Sequence, residues 1–97
     1  MITSKQRATL RKLGHDLDTI YQIGKGGFGE EMLKGIDAAL DARELIKLRT
    51  LDNCDYSSKE AANIIAEELH ADVVSVVGSR FVLYRQSSKE KNRKIIL

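Results

Sequence analysis

Residues 24–29 read Gly24-Lys25-Gly26-Gly27-Phe28-Gly29, which places four of the chain's seven glycines in six positions. Neither a helix nor a strand passes easily through such a run, because glycine loses more backbone freedom on ordering than any other residue and has no side chain to pack. The chain must break there, and its neighbours decide how. Thr19-Ile20-Tyr21-Gln22-Ile23, rich in β-branched and aromatic residues, predicts a short strand. Beyond the glycines, Met32, Leu33, Ile36, Ala39 and Leu40 recur at helical spacing. Glu30 and Glu31 stand where a helix dipole favours acid, and Arg43 where it favours base. A strand, a glycine loop and a helix over 29–42 form the frame to which everything else attaches.

The other segments separate by period. Thr3 and Gln6 make a capping-box pair, and Ile2, Gln6, Leu10, Leu13 and Leu17 share one helical stripe, which predicts a helix over 4–13 ended by Gly14. Its opposite arc carries Lys5, Arg7, Arg11 and Lys12 and no acid. Residues 45–51 alternate, setting Lys47 and Arg49 on the face of Leu45 and Leu51, away from Ile46 and Leu48. Ser57 and Glu60 form a second capping box before Ala61, Ile64, Ile65 and Leu69, hence a helix over 58–70. Strands over 73–77 and 81–84, linked by Gly78-Ser79-Arg80, suit a hairpin. From Gln86 to Lys94 there is no apolar residue, so a single domain over 1–85 is expected to end in a mobile basic tail, 86–97. The order α-β-α-β-α-β-β, with right-handed crossovers, puts the second and third helices on one face of a sheet. The other face is then partly open, with Lys47 and Arg49 pointing toward it.

Composition limits the chemistry. At 97 residues, with no apolar run near the ~18 to 20 that cross a bilayer, the chain reads as one soluble domain. The first residues lack the apolar stretch of a secretory signal, and a lone Cys54 can form no internal disulfide, so a cytoplasmic setting is expected. Two His and one Cys offer little for a zinc cage or a nucleophile pair. His15 and His70 fall at helix ends, Cys54 has no adjacent base, and Asp52 and Asp55 read as solvated turn residues. No catalytic residue, metal or cofactor is assigned. No large apolar stripe is left over once the core is filled, and a monomer is expected. The net charge of +2 conceals an uneven distribution: +4 over residues 1–14, −7 over 15–79 and +5 over 80–97. Basic ends around an acidic middle suit a polyanion met by the ends and selected loops.

The glycine loop itself admits several readings. As Gly24, Gly26 and Gly29 it spells the dinucleotide fingerprint G-x-G-x-x-G. Against that reading, the chain is short for a doubly wound sheet, the preceding strand is polar at Thr19 and Gln22, and Glu44 precedes the second strand where the ribose-binding acid should end it. A Walker A loop is absent, since no Lys-Ser or Lys-Thr follows the glycines. As Gly24-x-x-Gly27 with Lys25 at its tip, the loop has the G-x-x-G form of KH-type RNA binders. Bare glycines admit a sugar-phosphate backbone, helical N–H groups attract phosphate, and Lys25 adds charge. A glycine-rich turn with nothing bound has the same four letters, and Glu30 and Glu31 would repel a phosphate unless they point away.

Three stretches together carry a resemblance. Ile20 to Gly27, Arg43-Glu44-Leu45-Ile46-Lys47, and Val77-Gly78-Ser79-Arg80-Phe81-Val82-Leu83-Tyr84-Arg85 resemble the signatures of the YhbY-type CRM (chloroplast RNA splicing and ribosome maturation) domain, in order and over nearly the whole chain. Thr19 and Gln86 depart from it where relatives often have Pro. The resemblance implies an α+β fold, a two-layer α/β sandwich with a mixed four-stranded sheet of order 1-2-4-3 and a KH-like GxxG loop. It implies RNA binding without catalysis, in bacteria on precursors of the large ribosomal subunit. The implied RNA-binding loop falls on Gly24, Lys25, Gly26 and Gly27. The accompanying basic surface would come from Lys5, Arg7, Arg11 and Lys12, joined by Lys47, Arg49, Arg80 and Arg85. The expected function is thus a ribosome assembly factor holding ribosomal RNA precursor; the alternative is a module docking on ribosomal proteins or assembly factors.

Overall fold

Both capping boxes form. In the computed structural model, which describes residues 2–93 and Ile95, Thr3 Oγ1 accepts the Gln6 N–H at 3.1 Å while Gln6 Oε1 accepts the Thr3 N–H at 2.9 Å. They open α1 (Ser4–His15). Ser57 and Glu60 exchange the same pair of bonds, at 3.1 and 3.0 Å, to open α3 (Ser58–Leu69). The strand before the glycines is β1 (Thr19–Ile23), and the helix after them is α2 (Glu30–Arg43). Next come β2 (Leu45–Thr50), β3 (Asp72–Val77) and β4 (Arg80–Tyr84).

Two boundaries differ from expectation for tertiary reasons. Helix α1 does not stop at Gly14; it runs to His15 with Gly14 buried inside it. A Cβ at Gly14 would stand 3.0 Å from Val82 Cγ1, so this glycine lets the helix lie close on the sheet. Arg80 belongs to β4 and pairs with Val77, leaving Gly78-Ser79 as a two-residue hairpin loop with Gly78 at φ +59°.

The sheet has the expected order β1-β2-β4-β3. Strands β1 and β2 are parallel, and β4 runs antiparallel to both of its neighbours. Strand alternation sorts the apolar residues into two cores. Ile46, Leu48, Phe81 and Leu83 face α2 and α3, packing with Ile36, Leu40, Ala61, Ala62 and Ile65. Leu45, Val74, Val82 and Tyr84 face the other way, onto Leu10 of α1. Each fully buried aliphatic side chain here contributes on the order of 1.5–3 kcal/mol over its exposed state. The second face is therefore half covered by α1, and only its remainder is open.

The mobile tail expected from residue 86 is replaced by a docked strap as far as residue 93. Ser87 is buried and donates its N–H to Glu44 Oε2 at 2.8 Å. The Ser88 N–H donates to Asp41 Oδ1 at 2.7 Å, and the Arg93 Nε–H to the Ser87 carbonyl at 2.8 Å. A 3₁₀ turn at Glu90–Asn92 follows. The two bonds from the serines join them to carboxylates more than 40 residues away and leave no hydrophobic period to read. Met1, Lys94, Ile96 and Leu97 lie outside the described residues, and with them the end of the expected tail.

Candidate nucleic-acid interface

Because β1, β2 and β3 run in one direction, their C-terminal ends share one rim of the sheet. The glycine loop leaves β1 there, residues 51–57 leave β2, and the Gly78-Ser79 turn leaves β3. Backbone bonds knit the rim: the Leu51 N–H donates to the Ile23 carbonyl and the Thr50 N–H to the Ser79 carbonyl, each at 2.8 Å. Buried Ser58 anchors its underside through a 2.7 Å hydroxyl contact with Thr50.

Within the loop the Gly27 N–H donates to the Gly24 carbonyl at 3.1 Å, closing a four-residue turn. Gly26 sits at φ +88°, the value that the third residue of a type II turn requires, and Gly27 follows at φ +74°. Lys25 is held exposed at the tip. The turn rests on an aromatic support. Phe28 and Tyr56 stack with ring centroids 5.6 Å apart, and Tyr56 lies so close to Gly27 that a Cβ there would meet its ring at 3.0 Å. Tyr56 escaped sequence reasoning in this role, since nothing in its own segment signals a distant loop.

Helix α2 begins beside this turn. Its cap, Gly29, makes no side-chain capping bond to the first N–H groups among the described residues. Glu30 leans along the helix toward Lys34 at 3.9 Å, both well exposed, a pairing that contributes little to stability.

Across the half-open face, register aligns Gln22, Arg49, Arg80 and Val77 in one row over all four strands, at the rim end. Arg49 and Arg80 are directly opposed on neighbouring strands, a placement of like charges that destabilises a sheet. Neither forms an ion pair among the described residues, where the ion pairs are Lys34–Glu30 and Arg85–Asp37. The Arg49 Nε is enclosed and has no hydrogen-bond partner among the described residues. On α1, Lys5, Arg11 and Lys12 are exposed, while Arg7 is half-buried with its Nε likewise unpartnered.

Two basic residues assigned to this surface serve the fold. Lys47 Nζ donates to the His15 carbonyl at 2.9 Å, holding the last turn of α1 on the sheet. Arg85 lies at the far end of β4 and is not brought to the rim. Its guanidinium donates to Asp37 Oδ1 at 2.6 Å, the Leu69 carbonyl at 2.9 Å and the Asp37 carbonyl at 3.0 Å, which ties α2 to α3.

Of the shifted titrations, those of Asp41 and Tyr84 lie away from the rim, and that of Glu60 belongs to the capping box where the 51–57 loop enters α3. The Ser88 N–H and hydroxyl hold the Asp41 carboxyl below its ordinary value, and the Ser57 N–H and hydroxyl do the same for Glu60. Burial, with the charges of Glu44 and Asp72, pushes the Tyr84 hydroxyl up. Among the described residues no group of three or more His, Cys, Asp or Glu could hold a metal ion, and no helix is long and apolar enough to cross a membrane.

Known proteins share this architecture and sequence. The chain is similar to Probable RNA-binding protein YqeI of Bacillus subtilis, at 40% identity over 94% of this chain and 95% of that protein. It is similar to a Haemophilus influenzae protein named RNA-binding protein, at 32% identity over 93% of this chain and 91% of the other. The solution structure of a Staphylococcus aureus protein whose description proposes RNA binding superposes with a TM-score of 0.77 at 41% identity, covering 99% of this chain and all of that one. The CRS1 / YhbY (CRM) domain profile matches residues 2–85, and the chain belongs to that family.

Proposed function

We propose that this protein binds RNA without catalysis and, as a cytoplasmic monomer, assists large-subunit ribosome assembly by holding a segment of ribosomal RNA precursor. The observation that carries the reading is Lys25, exposed on a glycine turn beside the uncapped start of α2, on the rim it shares with Arg49 and Arg80. Bare glycines let a sugar-phosphate backbone approach, the helix start and Lys25 attract phosphate, and the arginine row with the arc of α1 extends the contact. Such contacts position a polyanion, so selectivity would follow RNA shape.

Binding of large-subunit ribosomal RNA fragments at several salt concentrations tests this. With about four phosphates neutralised, the logarithm of affinity falls against log salt with a slope near −3, at roughly 0.7 per contact on single strands. Lys25→Asp, which leaves the positive-φ glycines in place, weakens binding and flattens the slope. A flat salt response by the wild type would sink the mechanism. Co-sedimentation with ribosomal particles that survives RNA digestion would favour docking on a protein instead.

A further inference from the structure

Between the C-terminal end of α1 and the rim end of the sheet lies a cavity of about 440 Å³, within the range of roughly 300–1,000 Å³ that small-molecule sites occupy. Its apolar lining comes from Gly14, Val82 and Val77, the last 73% exposed at the cavity's edge. Its charged lining is entirely basic, with Arg11 from α1 and Lys47 and Arg80 from the sheet, and His15 beside them. No carboxylate among the described residues lines it. Lys47 is already engaged by the His15 carbonyl, whereas Arg80 is set against Arg49 with no acid to neutralise either among the described residues. An apolar floor under an excess of positive charge is complementary to a ligand that is flat and weakly polar at one end and anionic at the other.

We propose that this cavity receives one unpaired nucleotide of the bound RNA, its base against Val82 and Val77 and its phosphate toward Arg80 and Arg11. The inference rests on the RNA-binding reading and adds to it a place where an extruded base is recognised, apart from the glycine turn that meets the backbone.

The test uses RNA hairpins identical except for one bulged nucleotide, the same bulge made abasic, or no bulge. The wild type binds the bulged hairpin about tenfold more tightly than the other two, in keeping with the gain from burying one base against apolar side chains. Arg80→Glu and Val77→Asp, both at exposed positions, remove that preference, while Lys25→Asp weakens all three hairpins alike. Methyl NMR of the wild type gives a readout independent of any variant's folding: the bulged hairpin shifts the Val77 and Val82 signals. Equal, salt-dependent binding of the three hairpins, or NMR shifts confined to residues 24–29, overturns the cavity and leaves the RNA reading standing. Failure to bind these hairpins and large-subunit ribosomal RNA fragments alike overturns both.

Discussion

At Gly27 two demands meet on one residue, since its φ is +74° and the Tyr56 ring stands 3.0 Å from where a Cβ would be. Gly27→Ala is expected to destabilise the domain by about 1–2 kcal/mol through the left-handed backbone alone, read as a lower urea midpoint, and to weaken RNA binding further by moving Tyr56. The loop's glycines and its lysine were legible in the sequence because they are contiguous and their chemistry is local. Tyr56 was not, because its role arises only when β2 ends beside β1. The same limit explains Lys47 and Arg85. In the sequence they are cations like Arg49 and Arg80, and only the fold shows that one caps a helix end and the other joins two helices.

Among the elements, those with reciprocal local signals were read best. Both capping boxes could be placed from spacing, because each closes within one helical turn. Removing the Ser57 hydroxyl by Ser57→Ala is expected to cost about 1 kcal/mol, seen as a lower thermal midpoint, while Ser57→Asp, which keeps an acceptor, retains most of it. The end of α1 was misread at Gly14, since glycine ends helices by local preference and here serves a close approach to Val82. The facing of β2 followed from alternation, and the side taken by α2 and α3 from crossover handedness, whereas the sheet order was implied only by the family resemblance. The position of α1 across the second face followed from none of these, because its stripe is equally apolar whichever face it covers.

For the molecule as a whole, the feature the sequence hid is the strap of residues 86–93, whose polar bonds carry no period. Asp41 governs part of it. Its carboxyl is held below the ordinary value of 3.8, chiefly by the Ser88 N–H, so the charged form is favoured when the strap is docked. That contribution is therefore present above the ordinary aspartate value and lost as pH falls through the lowered one. The protection of the Ser88 amide relative to its intrinsic exchange rate is expected to fall in that acid window, and Asp41→Asn to abolish this pH dependence. The family match ends at residue 85, yet buried Glu44 accepts N–H groups from Ser87 at 2.8 Å and Ile95 at 3.3 Å. The junction between α2 and β2 is thus closed from outside the matched segment, by one bond from the strap and one from the residue that lies beyond it. A chain cut after residue 85 would keep all four strands and lack both of these bonds to a carboxylate at their edge.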